Sequence, residues 1–357
     1  MPGDDCLIGY PSMIYLHAFA NVSYYCQISI WLCRQNVSPL EKGIVLFCML
    51  KRKFTKNVLN HCYQRTADHG VLFYNVRDHI VFFTVFCVLA DRHNVRVLKL
   101  VQMPDHIHHS SIAEREEQLS AFERDFTSIY AREYNGSFGR TGPLFEARFN
   151  SAPKKGDKAI RTNLLYLDNN PVERKLVASA QEYQWGYCAY ATANNPFSNK
   201  IRLRFASMPL RRALKQVKIL HKNKQYLTYK VITRLFDSLP NDYEKDQLTD
   251  YIIKTYSVID HKTAARFFGG HDKEMLAASS NTGSEYDINE EFIGKDDRYY
   301  AQFSNILRKG GHVKDIHDIF TMSDKKRRDL FTLLRLKTMA PKKQICSFLH
   351  LPVDIID

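Results

Sequence analysis

Residues 95–108 read Val95-Arg96-Val97-Leu98-Lys99-Leu100-Val101-Gln102-Met103-Pro104-Asp105-His106-Ile107-His108. Val95 to Val101 alternates and is rich in branched apolar side chains, which predicts a strand. Pro104-Asp105 breaks the run, and His106-Ile107-His108 resumes as extended chain. Working outward, Asn57 to Gln64 alternates as a strand would, and Val76 to His93 reads as an amphipathic helix. On the far side, Glu114 to Tyr134 predicts a charged amphipathic helix ended by Asn135-Gly136. Leu144 to Asn150 predicts another strand. Lys158 to Asn170 predicts a helix stopped by Pro171, because the residue before a proline is pushed out of the helical region. Strands alternating with helices, each strand polar on one face, predict a compact α+β sandwich over residues 49–195.

Asn194-Asn195-Pro196-Phe197-Ser198-Asn199 has loop composition and marks an expected boundary. Beyond it, residues 200–357 read as an all-α domain, for example Leu210 to His221, Tyr243 to Tyr256 and Asp324 to Leu336. The polar run Ser279 to Asp297 reads as a connector within it. Lys325 to Lys343 is strongly basic, and Gln344 to Pro352 follows as a short helix with Ile345, Phe348 and Leu349 on its buried face. Residues 325–357 therefore read as a partial helix-turn-helix-like segment. Residues 1–48 are atypical. Cys6 to Cys33 holds no Asp, Glu, Lys or Arg, long enough for a membrane span. The run also contains His17, Asn21, Ser23, Gln27 and Ser29, each costly in lipid, and Asp4 and Asp5 ahead of it carry the wrong sign for a signal peptide. The segment reads as an N-terminal extension outside the functional unit rather than an anchor, with Met49 opening a basic soluble chain.

The 357 residues include 51 Lys and Arg against 38 Asp and Glu, a formal charge of +13, most of it beyond residue 200. That surplus points to an anionic partner, nucleic acid being the commonest. Hydrophobic residues at 45% and charged residues at 25% exclude wholesale disorder and fibrous architecture. The eight cysteines form no Cys-x-x-Cys pair, which argues against a zinc ribbon and fits reduced thiols in a cytoplasmic setting.

On a strand, residues i and i+2 project from one face, so His106 and His108 point together while Ile107 points away. Two imidazoles so placed are half of a divalent-metal site. His109 next to them competes for a metal only if it shares their face, and strand geometry turns it away. Tyr166 and Asn170 are i and i+4, neighbours on one helix face. Asn170 offers a carbonyl oxygen as a third ligand, and Tyr166 an oxygen nucleophile beside it. A tyrosine near a helix end also serves as half-buried packing, and Asn before Pro is a common helix stop. Arg140 and Arg148, flanking a glycine-bearing loop, suit phosphate contacts or a solvated basic loop. His61 reads as a core or hydrogen-bonded histidine, and Tyr183 and Trp185 as packing of a closing segment.

In this order these features resemble the REP-associated tyrosine transposases, within the single-tyrosine HUH transposases of bacterial insertion sequences. The resemblance rests on Met103-Pro104-Asp105-His106-Ile107-His108 and on Tyr166-Leu167-x-x-Asn170-Pro171-Val172. Between them lie Tyr134-Asn135 and Gly142-Pro143-Leu144-Phe145-Glu146-Ala147-Arg148-Phe149. Leu176-Val177 and Glu182-Tyr183-Gln184-Trp185 follow, so that roughly residues 50–192 are covered. Asp105 stands where Asn is commoner, and His109-Ser110 where hydrophobic residues are. The resemblance implies a ferredoxin-like antiparallel sheet with helices packed on it, the HUH transposase palm. It implies Mg²⁺ or Mn²⁺ held by His106, His108 and Asn170, with Tyr166 as the nucleophile giving a 5′-phosphotyrosine linkage. The implied substrates are single-stranded DNA hairpins of repetitive palindromes, handled in the cytoplasm at the nucleoid by a monomer or homodimer with no membrane partner. The rivals are a non-catalytic DNA-binding regulator on the same scaffold and a metal-dependent phosphodiesterase using activated water.

Overall fold

A computed structural model describes residues 53–146, 149–280 and 296–353. Its centre is a four-stranded sheet of β1 (Leu59–Arg65), β2 (Arg96–Gln102), β3 (His106–Ile112) and β4 (Asn150–Lys154). The strands lie in the order β2-β3-β1-β4, every neighbouring pair antiparallel. Helix α1 (Val76–Arg92) crosses from β1 to β2, and α2 (Glu116–Phe138) from β3 to β4. This is the βαββαβ order of a ferredoxin-like α+β fold, with a helical region after it.

Helix α1 starts at Asn75, whose side chain accepts from the Arg77 and Asp78 amides, while Asp78 answers to the Asn75 amide. That reciprocal cap satisfies donors the first turn would otherwise leave orphaned. The helix is apolar almost all round, and Ile80 to Ala90 is buried throughout. It packs on β2 and α2 and against α5 (Tyr229–Asp237) and α6 (Asp242–Tyr256), and α4 (Met208–Lys222) packs on α6. Leu210, Val217, Ile232, Leu248 and Ile252 join Phe82, Phe83 and Phe86 in one core. The loop at 194–199 is itself tied to α6, with the Phe197 amide and the Ser198 hydroxyl both donating to Asp250. A second, smaller core gathers Val71 with Phe303, Leu307, Ile319, Leu334, Ile345, Phe348 and Leu349. It is built by α9 (Arg298–Lys309), α10 (Asp324–Lys337) and α11 (Lys342–Leu349), which follow α7 (His261–Arg266) and α8 (His271–Ser280).

Three local expectations are corrected. The last strand is Asn150–Lys154, not Leu144 to Asn150; Leu144 and Phe145 are core residues, and only Phe145 makes a bridge, to Thr66. Pro153 disguised the strand, but β4 is an edge, where a missing N–H removes no ladder bond. Helix α3 (Asp157–Glu173) runs through Pro171 rather than stopping before it, so the helix ends two residues after the proline. Helix α2 continues past Asn135-Gly136 to Phe138 and stops at Gly139, whose φ of 63° suits glycine. The extra turn carries Phe138 onto the His317 ring, with centroids 3.6 Å apart and planes 3° from parallel. Residues 1–48, Arg148, most of the run 279–297 and the end of the 325–357 segment lie outside the described residues. No helix among the described residues is long and apolar enough to cross a membrane.

His317 pins the second core to the first. Its Nε2 lies 3.1 Å from Asp78 and its Nδ1 2.6 Å from Asp315. Burial opposes its charge, but Asp78 and Asp315 overcome it and raise its pKa to about 9. A pKa above the unfolded value of 6.5 makes the charged ring stabilising at and below pH 6.5, and that contribution disappears as pH rises through 9. Unfolding free energy measured with urea should therefore fall by about 3 kcal/mol between pH 6.5 and pH 9.5. In His317→Gln this slope should vanish; an unchanged slope would assign the pH dependence elsewhere.

Candidate active site

One sheet face carries His106, His108 and Ser110 from β3, set opposite Arg65, Tyr63 and His61 of β1. Cross-strand partners share a face. Helix α3 lies across this face, delivering Asn163, Tyr166 and Asn170, the i, i+3 and i+7 positions of one helical stripe. All of these side chains except Tyr63 and Arg65 are buried, and Tyr166 is 3% exposed.

His106 and His108 stand edge to face with ring centroids 4.8 Å apart. Each has its Nδ1 engaged: that of His106 by the Asp105 carboxylate at 2.6 Å, that of His108 by His61 Nε2 at 3.2 Å. Giving its Nδ1–H to Asp105 keeps the His106 lone pair on Nε2, the usual support for a metal-ligating histidine. The Nε2 of His108 faces Asn170 Nδ2 at 3.3 Å, and the same amide donates to the Tyr166 hydroxyl at 3.2 Å. The Tyr166 ring lies 5.5 Å from His108 and 5.8 Å from His61. His61 is held in turn by Asn163, which accepts from the Ser110 hydroxyl at 2.6 Å. So Tyr166, Asn170, His108, His61, Asn163 and Ser110 form one hydrogen-bonded chain from helix to sheet.

Charge near the pair comes from Asp105. Burial opposes its ionisation, but His106, Arg174 and Arg65 together hold its carboxyl below the usual carboxylate range. Arg174, in the turn after α3, is bidentate to buried Asp297 at 2.6 and 3.1 Å. Burial first, and then the Asp105 charge, push Asp297 up to about 6. The acid at position 105 is thus the acceptor that orients His106, which strand and turn patterning left unassigned.

The donors suit a divalent cation. Two imidazole nitrogens and an amide oxygen are borderline-to-hard ligands, and Asn170 Oδ1 is buried without a hydrogen bond while its Nδ2 is engaged. Sequence patterning put His106, His108, Tyr166 and Asn170 forward, and these four do converge. It missed Tyr63 and Asn163, although the period-two step from His61 to Tyr63 and the helical steps from Asn163 to Tyr166 and Asn170 were there to be read. His61 faces the site and is hydrogen-bonded within it. Arg140 is occupied locally, donating to Asn135, to the Gly142 and Pro143 carbonyls and, at 3.5 Å, to Asp68. Tyr183 and Trp185 are packing residues: the Tyr183 hydroxyl donates to the Gln102 carbonyl and Trp185 stacks on His79 at 4.1 Å. His109 points to the opposite face, towards Phe86 and Phe122.

No family model matches the chain, and no curated protein matches it. Among solved structures, a REP-associated tyrosine transposase bound to a REP hairpin is similar at a TM-score of 0.35 and 14% identity, over 44% of this chain and 90% of its own.

Proposed function

We propose that this protein is a metal-dependent, single-tyrosine DNA strand transferase that cuts and rejoins single-stranded DNA beside a hairpin. The observation that carries this reading is the link between an oxygen nucleophile and an imidazole pair from a distant strand, made by the one amide of Asn170. His106, His108 and Asn170 would hold Mg²⁺ or Mn²⁺, which supplies Lewis-acid polarisation of a phosphodiester and neutralises its charge.

The chain's own residues perform the rest. The Tyr166 oxygen attacks phosphorus, the bond from phosphorus to the 3′ oxygen breaks, and that oxygen leaves as a 3′-hydroxyl after taking a proton. The 5′-phosphotyrosine so formed keeps the bond energy, and a 3′-hydroxyl attacking it restores the strand by the reverse step. The Asn170 N–H aimed at the phenol oxygen stabilises charge there as the proton leaves. Asp105, accepting from His106 Nδ1–H, keeps that imidazole in the tautomer that presents Nε2, and His61 holds the His108 ring in place. Because Tyr166 and both histidines are buried, the residues over them must move aside before a strand can enter. Exposed Lys325, Lys326 and Arg328 on α10, together with Arg148, are assigned to phosphate contacts, which position DNA without reading its sequence, whereas Arg140 is held by its local partners.

The test is incubation with labelled single-stranded hairpins and Mg²⁺ or Mn²⁺, read on a denaturing gel. The expected result is a covalent protein–DNA adduct that needs the metal. Cleavage without an adduct would support a phosphodiesterase using activated water, and binding without cleavage a DNA-binding regulator.

A further inference from the structure

The opposite face of the same strands holds a second group of donors that the proposed reaction does not use. Cys62 of β1 and His109 of β3 are paired across the ladder, and Glu123 of α2 descends onto them. One ligand atom from each residue lies within 4.8 Å of the other two, and all three residues are at most 2% exposed. Phe86, Phe122 and Phe126 wall the group in. Glu123 Oε1 sits 2.6 Å from His109 Nε2, and the Ser111 hydroxyl engages His109 Nδ1 at 2.8 Å. Glu123 Oε2 is buried without a hydrogen bond. A buried carboxylate oxygen left unsatisfied is costly, and it marks a position where a cation would be stabilising.

We propose that Cys62, His109 and Glu123 bind a structural transition-metal ion of the Zn²⁺ class, one that fastens α2 to the middle of the sheet. The donor set selects the ion. A thiolate is a poor ligand for Mg²⁺ and a strong one for Zn²⁺ or Co²⁺, so this site and the His106–His108 site take different metals. Ser111, accepting from Nδ1–H, leaves the His109 lone pair on Nε2, facing Glu123. Binding expels two protons, that of the Cys62 thiol and the one between His109 and Glu123. A doubly charged ion thus replaces two protons, and the buried charge is unchanged. The three donors come from β1, β3 and α2, so the ion closes a cross-link that the hydrophobic core alone does not make.

The thiolate makes the site separately visible. Full-length protein from cells grown with Co²⁺ should hold an ion giving the near-ultraviolet thiolate-to-Co²⁺ charge-transfer band, which a site of imidazoles and amide cannot produce. Cys62→Ser should abolish the band, and Glu123→Gln should weaken it, with far-ultraviolet circular dichroism unchanged. Zn²⁺ at about a thousandfold excess over its dissociation constant should raise the wild-type melting temperature by roughly 5 °C or more and leave Cys62→Ser unmoved. Folded wild-type protein that shows no such band and no Zn²⁺-dependent rise would overturn the proposal, as would a band that survives in Cys62→Ser. Either variant failing to fold leaves the wild-type measurements decisive. Neither readout uses DNA, so the site can fail without the proposed strand transfer failing, and the reverse holds too.

Discussion

Tyr166→Phe should eliminate the covalent adduct with hairpin DNA altogether rather than slow its formation. The substitution removes the atom that the proposed reaction uses to attack phosphorus while leaving the ring in place. In the folded protein the lost hydroxyl accepts a hydrogen bond from Asn170 Nδ2, and that amide still reaches His108 Nε2. Loss of such a bond costs about 1 kcal/mol, so the variant should fold and bind DNA as the wild type does. The effect then falls on chemistry alone. Adduct yield on a denaturing gel checks it, with hairpin binding measured in parallel. Continued cutting by the variant would show that water attacks phosphorus, and the strand-transferase reading would be abandoned.

Lys99→Met should be the most destabilising single change near the site. Lys99 Nζ lies 2.7 and 2.8 Å from the two oxygens of Asp168 and 2.9 Å from Glu274, and all three side chains are buried. Asp168 sits two residues after Tyr166 on α3, and Glu274 belongs to α8, so one ammonium ties the tyrosine helix both to β2 and to α8. Burial pushes the Asp168 carboxyl up to about 6, with Lys99 opposing the rise and Glu274 adding to it. Removing the cation leaves two buried carboxylates without the ammonium between them, and breaking a buried pair in this way costs about 3–5 kcal/mol. The melting temperature should fall by roughly 10 °C. A carboxyl raised further above its unfolded value destabilises more as pH rises, so the deficit should be larger at pH 8 than at pH 5. Adding Asp168→Asn should recover part of it, and a double-mutant cycle measures the coupling. A deficit independent of pH would mean that packing, not charge, is what Lys99 supplies.

Lys99 also shows where patterning stops being informative. Strict alternation from Val95 puts Lys99 on the same side as Val97. The β2–β3 ladder instead slips between Val97 and Lys99, leaving Leu98 as the extra residue. A bulge of this kind turns Leu98 and Lys99 to the same side, where Leu98 packs on Leu164 and Lys99 meets Asp168. Nothing in the composition of the strand marks the slip, because it is set by the partner strand and by the helix waiting opposite. Pro171 is a similar case. Its local preference is to stop a helix, yet α3 continues for two residues beyond it, to Glu173, and Arg174 in the turn that follows is anchored to Asp297.

What the sequence determined by itself was local and periodic. It set the order of strands and helices through Asn170, the shared face of His106 and His108, the turn of His109 to the opposite face, and the pairing of Tyr166 with Asn170 on one helical stripe. Each of these depends only on neighbours within about four residues, where the geometry of strand and helix is fixed. Tertiary structure alone decided that α3 lies over the histidine face, that His61 and Asp105 orient the two imidazoles, and that Cys62, His109 and Glu123 meet beneath the sheet. Those contacts join residues far apart in the chain, and they follow from strand register and helix docking. A shift of one residue in that register would turn each side chain to the other face.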